Sequence, residues 1–169
     1  TPLPNRQPRR ILKPMKVICL SLILALSPLI NLAAQELSLR SPVQYDIDLH
    51  ALHLAAVQGD DSGIPRNRLL IIDGYIGDRN IIEDEDDYFL AEIELVGGHW
   101  EGEEHVELYR ASILFEGTEY RELFVSRGDV RFKNGEKLIV VAAYLGLDED
   151  YTSDELVPVL KSLFWRRAR

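Results

Sequence analysis

Carboxylates are the most numerous side chains in this sequence that are able to do chemistry, and the densest run of them occupies residues 83–87. Oxygen ligands of this kind suit hard cations such as Ca²⁺ and Mg²⁺. The candidate ligands of a weakly held divalent cation are therefore Glu83, Asp84, Glu85, Asp86 and Asp87. Adjacent like charges also repel one another, so the same run is typical of a solvated acidic loop.

Histidines form two further candidate groups for metal binding. His50 and His53 are three residues apart, whereas His99 and His105 flank a Glu-rich segment. On a helix, His50 and His53 share one face, but on a strand they point to opposite faces. Apolar residues alternate with polar ones over residues 43–50, which favours a strand and disfavours a two-histidine site.

Nucleophilic catalysis has little support in the sequence. The single cysteine is Cys19, which lies in an apolar segment that we expect to be removed. No serine stands in a Gly-x-Ser-x-Gly turn between a strand and a helix. Ser112 lies in an alternating segment, and we expect its side chain on the solvent face of a strand.

The first 34 residues have the pattern of a leader and a cleavable signal peptide. The chain begins with Thr1 and its one methionine is Met15, so we expect residues 1–14 to be an upstream or non-native leader. Residues 15–34 combine Lys16, an apolar run and the small residues Ala33 and Ala34, which is typical of a signal peptide. The sequence therefore predicts export to the periplasm or the medium, with no transmembrane span in the mature chain.

The charge of the chain limits its partners. Residues 1–34 contain five basic and no acidic side chains, so the net charge of −9 for the whole chain becomes −14 for the remainder. Phosphate attraction to Lys and Arg dominates nucleic-acid affinity. We therefore expect no nucleic-acid partner, and another protein or a neutral ligand remains.

Hydrophobic periodicity predicts a mainly β fold with one helix at the end. Residues 35–66 are interpreted as an N-terminal strand and loop, and residues 67–150 as a β-rich domain whose strands form a small antiparallel barrel or curled sheet. Residues 120–125 are interpreted as a weak strand, and Asn134-Gly135 as a hairpin turn. Residues 151–169 are predicted to form a C-terminal amphipathic helix with a basic end. Their apolar residues recur with helical spacing: Leu156, Val159, Leu160, Leu163 and Phe164.

Two resemblances to known families follow from these segments. Gly74 early in a strong strand, the order of the strands, and Gly135 followed by an alternating strand resemble an OB-fold barrel over roughly residues 68–146. That resemblance concerns the fold and fixes no ligand. Residues 51–74 also resemble one ankyrin repeat, but a solenoid needs about three repeats, so we interpret this likeness as coincidental.

The sequence as a whole favours an exported, envelope-associated binding or scaffolding module rather than an enzyme. No catalytic or cofactor-binding residue is singled out, and no cofactor is expected beyond the weakly held cation at residues 83–87. The alternative is a hydrolase that uses paired carboxylates or a bound cation.

Overall fold

The computed structural model describes residues 38–102, 105–150, 153 and 155–168. The expected leader and signal peptide lie outside these residues. The described elements run in the order β1 (Val43–Gln44), α1 (Leu49–Gln58), β2 (Leu69–Asp84), β3 (Phe89–Glu101), β4 (His105–Glu116), a 3₁₀ turn (Thr118–Tyr120), α2 (Arg121–Val125), β5 (Lys137–Glu149) and β6 (Leu156–Arg167). Among the described helices, none has the length and apolar character needed to cross a bilayer.

Five of the strands close into a barrel. They are hydrogen-bonded in the order β2, β3, β4, β6 and β5, and β5 pairs again with β2. The neighbours are antiparallel except β4 and β6, which run parallel where Ser112 to Leu114 face Val159 to Lys161. The short β1 adds to β2 in parallel, with Val43 opposite Leu69. The predicted β barrel is thus confirmed, with one parallel contact that the sequence did not indicate.

The core of the barrel follows from the two-residue period of its strands, because alternate side chains point inward. On β3, for example, Ala91, Ile93 and Leu95 are fully buried, while Glu92 and Glu94 between them face outward. The apolar residues on β4 and β5 alternate in the same way. Strands β3, β4 and β5 all lie within residues 67–150, the stretch that the sequence predicted to be rich in strands.

Residues 49–58 form a helix, so residues 35–66 hold more than the expected strand and loop, and the alternation over residues 43–50 gives a strand only at the short β1. Asp48 caps α1 because its side chain accepts a hydrogen bond from the backbone N–H of Ala51 at 2.8 Å. Gly59 ends α1 in a left-handed conformation with φ of 64°. Side-chain capping at one end and a left-handed glycine at the other satisfy the open backbone groups of a short helix.

Helix α1 fits against the barrel because glycines leave space for its side chains. Leu49 and Leu52 of α1 are buried in the common core. A Cβ atom on Gly97 would lie 3.0 Å from Leu49, and one on Gly74 would lie 2.8 Å from Leu95. A glycine inside a strand often marks a bulge, but the register of β2 with β5 is continuous through Gly74, where the close approach of Leu95 leaves no room for a Cβ atom.

The segment between β4 and β5 is helical and irregular, so two further predictions fail. Residues 118–125 form the 3₁₀ turn and α2 rather than a weak strand, and their buried residues are Leu123 and Phe124. Asn134-Gly135 is a turn with Gly135 at φ of 79°, as the residue types suggested. No strand precedes this turn in the described residues between α2 and β5, so it is not a hairpin.

The prediction of a C-terminal amphipathic helix is wrong, because residues 156–167 form strand β6. Buried Pro158, Leu160 and Ser162 alternate with more exposed neighbours, which is the period of a strand. β6 lies between β4 and β5 and supplies the last wall of the barrel. The β-rich unit therefore extends beyond residue 150 to Arg167.

A polar contact ties the loop after α1 to β5. The hydroxyl of Tyr144 donates to Asp61 at 2.9 Å, and Arg66 pairs with the same carboxylate at 2.8 Å. Burial, followed by the hydrogen bond to Asp61, raises the pKa of the Tyr144 phenol above its ordinary value. Tyr144 therefore stays neutral and keeps donating throughout the physiological pH range.

Candidate functional site

A cleft on the barrel runs over the outer surfaces of β3 and β4 and has a volume of about 840 Å³. We call it the acidic groove. It is also bounded by the far end of β2 and by the ends of β5 and β6. Its lining residues are Asp78, Arg79, Asn80, Ile82, Leu90, Glu92, Glu94, Arg110, Ala111, Ser112, Leu114, Asp148, Glu149, Asp150, Val157 and Val159.

The lining of the acidic groove is strongly negative. It holds six carboxylates and two guanidinium groups, which leaves four negative charges in excess. One of the two guanidinium groups turns elsewhere, since Nη1 of Arg79 donates to the backbone carbonyl of Phe132 at 2.5 Å. A cleft lined by one sign of charge concentrates ions of the opposite sign. The groove therefore attracts cations.

Arg110 is held among carboxylates of the groove wall. Its guanidinium lies 3.7 Å from Glu94 and 3.8 Å from Asp150, and it also pairs with Glu155. These contacts join β4 to β3 and to the loop between β5 and β6. Because the side chain of Arg110 is 34% exposed, solvent screens these pairs and they add little to the free energy of unfolding. Their main effect is to fix the positions of the paired side chains.

Ser112 and Glu92 form a second polar pair in the acidic groove. The Ser112 hydroxyl donates to Oε1 of Glu92 at 2.5 Å. Ser112 faces outward as expected, but it is only 7% exposed because the groove walls cover it. With its proton directed to a carboxylate, Ser112 orients Glu92 toward the groove. The pair thus fixes one of the negative charges.

The rest of the groove surface is aliphatic. Leu90 and Leu114 lie on adjacent strands, and Val157 and Val159 lie on β6, all of them partly buried. A ligand that fits this surface has to offer positive charges at intervals and apolar contact between them. The arrangement of acids beside aliphatic side chains suits recognition of such a ligand.

The five acidic residues predicted from the sequence lie at a hairpin end. Glu83 and Asp84 close β2, and residues 85–87 form the exposed connection to β3. Asp84 is engaged by Arg121 at 2.7 Å. Within the described part of the chain, no three His, Asp, Glu or Cys side chains are placed to hold a metal ion. The divalent-cation hypothesis for this loop remains a prediction.

Calcium provides a direct test of this loop. We expect millimolar Ca²⁺ or Mg²⁺ to leave the melting temperature unchanged relative to a NaCl solution of equal ionic strength. Asp84 already has a cationic partner and its four neighbours are exposed, whereas binding to the native state would raise the melting temperature by mass action. Differential scanning fluorimetry measures the effect. A clear rise with Ca²⁺ that Glu85→Gln/Asp86→Asn removes would establish the cation site.

Three histidines gather around one tyrosine instead of forming the two predicted groups. The ring of His50 stacks on Tyr109 at 4.5 Å between centroids, and those of His53 and His99 both lie at 5.5 Å. His50 and His53 share a face because α1 is helical, contrary to the strand interpretation. The side chain of His105 lies outside the described residues. The arrangement is an aromatic cluster that packs α1 onto the barrel.

Sequence reasoning did not single out the carboxylates of the groove. Their signal was the outward position of Glu92 and Glu94 between buried apolar residues, together with Arg110 and Ser112 on the next strand. That pattern is common on solvent-facing strands, so it identifies a candidate site only when the order of the strands in the sheet is also known.

The fold and the groove define a small closed β barrel with an acidic cleft on its outer wall. No protein-family model matches the chain, and a search of curated proteins found no match to it.

Proposed function

We propose that this protein is an exported binding module with an OB-like barrel, whose acidic groove binds a basic, extended segment of another protein. The excess of four negative charges in the groove carries the proposal. Export itself rests on the signal-peptide pattern of residues 15–34. The hydrolase alternative stays an untested prediction, because no specific observation favours it.

The strand order supports the OB-like assignment. Counted from β2, the barrel has the order first, second, third, fifth, fourth, with a parallel contact between the third and fifth strands and a helix between the third and fourth. OB-folds share this arrangement, and they bind ligands on the surface of their second and third strands and on the adjoining loops. In this chain the corresponding surface is formed by β3 and β4, which form the floor of the acidic groove.

The chemistry of the groove favours a basic ligand over nucleic acid. OB-folds that bind nucleic acid present basic side chains and stacking aromatic residues at this surface. Here the surface presents carboxylates such as Glu92 and Glu94 beside Leu90 and Leu114. Nucleic acid is therefore repelled, whereas Lys or Arg side chains gain both charge pairing and apolar contact along their methylene stems.

Binding of a peptide with alternating Lys and Leu residues tests the proposal. We expect Glu92→Gln/Asp148→Asn to weaken binding about tenfold, because each substitution removes one attractive charge while keeping a hydrogen-bonding amide of the same shape. The matched control is Glu119→Gln/Glu122→Gln, which changes the net charge equally at exposed positions outside the groove. Fluorescence anisotropy at two salt concentrations measures the affinities.

The two double variants separate a site from general charge attraction. Affinity close to that of the unmodified protein in the control, with a loss in the groove variant, is the expected result. Equal losses in both would show that the peptide responds only to net charge. Binding of a neutral Ser-Leu peptide as tight as that of the Lys-Leu peptide would also contradict the proposal.

A further inference from the structure

A second surface lies on the outer side of β2, β5 and β6, and we call it the three-strand face. Its side chains stand in two adjacent rows defined by strand register. The first row runs across the strands as Ile71, Val141 and Phe164, and the second as Asp73, Ile139 and Arg166. Ile71, Ile139 and Phe164 are 36%, 39% and 51% exposed. Large apolar side chains that are exposed together mark an interaction surface.

The charged residues of the three-strand face stand at opposite edges of one row. Asp73 is on β2 and Arg166 is on β6, with Ile139 of the central strand between them. A two-fold axis that runs along β5, in the plane of contact, exchanges the β2 edge with the β6 edge. Under that operation Asp73 faces Arg166 of a second copy, and Ile139 faces its own equivalent.

The apolar row obeys the same symmetry. Ile71 on the β2 edge faces Phe164 of the second copy, and Val141 on the central strand faces itself. A two-fold interface requires a surface that is complementary to itself. From this agreement of charge and apolar pattern, we propose that the three-strand face binds the same face of a second copy of this chain.

The overall charge also favours this place for self-association. Two copies that each carry a net charge of −9 repel one another, so contact is least costly where the surface is least acidic. The face contains Asp73 as its one acid, which Lys137 pairs at 2.8 Å, and it contains Arg166 in addition. The residues of the face are not among those that line the acidic groove, so the groove stays open in such a dimer.

The size of the three-strand face sets the expected affinity. Stable interfaces bury about 800 Å² per partner and involve roughly 20–30 residues on each side. Two rows of side chains form a smaller contact. We therefore expect a reversible dimer with a dissociation constant in roughly the micromolar range.

Crosslinking of the full chain tests the position of the two-fold axis. In a Cys19→Ser background, Ile139→Cys places one thiol on each copy close to the axis. A short bis-maleimide is expected to convert Ile139→Cys into a covalent dimer in intact cells and in the purified protein. Leu108→Cys is the matched control, because Leu108 is 57% exposed on β4 and lies outside the face. No dimer with Ile139→Cys, or an equal yield with Leu108→Cys, would overturn the proposal.

Exchange of the edge charges tests the pairing itself. Sedimentation velocity of the full chain is expected to show that Arg166→Glu and Asp73→Lys each weaken the dimer several-fold. The double variant Asp73→Lys/Arg166→Glu is expected to regain much of the lost affinity, since opposite charges again meet across the axis. Circular dichroism checks that each variant is folded. A double variant weaker than both single variants, or a wild-type chain that stays monomeric at several hundred micromolar, would contradict the two-fold arrangement.

Discussion

Deletion of residues 153–169 is expected to abolish the cooperative unfolding transition of this protein. The deletion removes the whole of β6, including Leu160, which is fully buried, and Trp165, whose ring packs edge-on against Phe132 at 4.9 Å. It also leaves the facing edges of β4 and β5 without their hydrogen-bonding partner. Each buried apolar side chain contributes about 1.5–3 kcal/mol, and the net stability of a domain is only about 5–15 kcal/mol. Thermal melting followed by circular dichroism measures the loss.

A pair of single substitutions distinguishes loss of the barrel wall from loss of chain length. Leu160→Asp introduces a charge into the core and is expected to mimic the deletion. Leu156→Asp is the matched control on the same strand, where Leu156 is 40% exposed, and its effect is expected to be under about 1 kcal/mol. A deletion variant that melts within a degree or two of the intact protein would show that β6 serves a partner and not the barrel.

Phe132→Ala is expected to lower the free energy of unfolding by about 3–5 kcal/mol. Phe132 lies in irregular chain between α2 and β5, yet its side chain is fully buried. Its ring lies 5.4 Å from Phe115 and 5.5 Å from Phe124, both at steep angles. Its backbone is held as well, since its N–H donates to Leu123 at 2.8 Å. Truncation therefore leaves a cavity that neighbouring strands cannot fill by a local shift.

Urea denaturation measures this effect. The matched control is Val130→Ala in the same irregular segment, where Val130 is 49% exposed and the expected change is within about 0.5 kcal/mol. A loss below about 1 kcal/mol for Phe132→Ala, with an unchanged denaturant slope, would mean that the segment around Phe132 does not belong to the cooperative unit.

The central strands of the barrel were predicted from the sequence, whereas the first helix and the last strand were not. Over most of their length, strands β3, β4 and β5 alternate apolar residues that point inward with polar or more exposed ones, so their two-residue period was readable. Strand β6 was mistaken for a helix because Leu156, Val159, Leu160, Leu163 and Phe164 also fit a helical spacing. Short apolar runs satisfy both periods. Val157 and Val159 are β-branched, which favours a strand, and Pro158 between them disfavours the interior of a helix.

Helix α1 was not predicted, because a two-residue period overlaps its start. Alternation over residues 43–49 suggested a strand, although Asp48 and Gly59 stand where a helix of ordinary length needs its cap residues. The acidic groove could not be predicted at all from local patterns. Its walls come from β3, β4 and the ends of β5 and β6, which meet only when the barrel closes.

The position of β6 between β4 and β5 also governs the order of folding. Strand β6 is synthesised after β4 and β5 but pairs between them, so the parallel contact of Ser112 with Val159 cannot form until β6 has been made. At roughly 5–20 residues per second, the nascent chain spends seconds with an open four-stranded sheet. Contacts between residues so distant in sequence also slow folding, because chain entropy is lost before they form. Closure is therefore a late event in folding, and until then the edges of β4 and β5 are exposed to chaperones and to other chains.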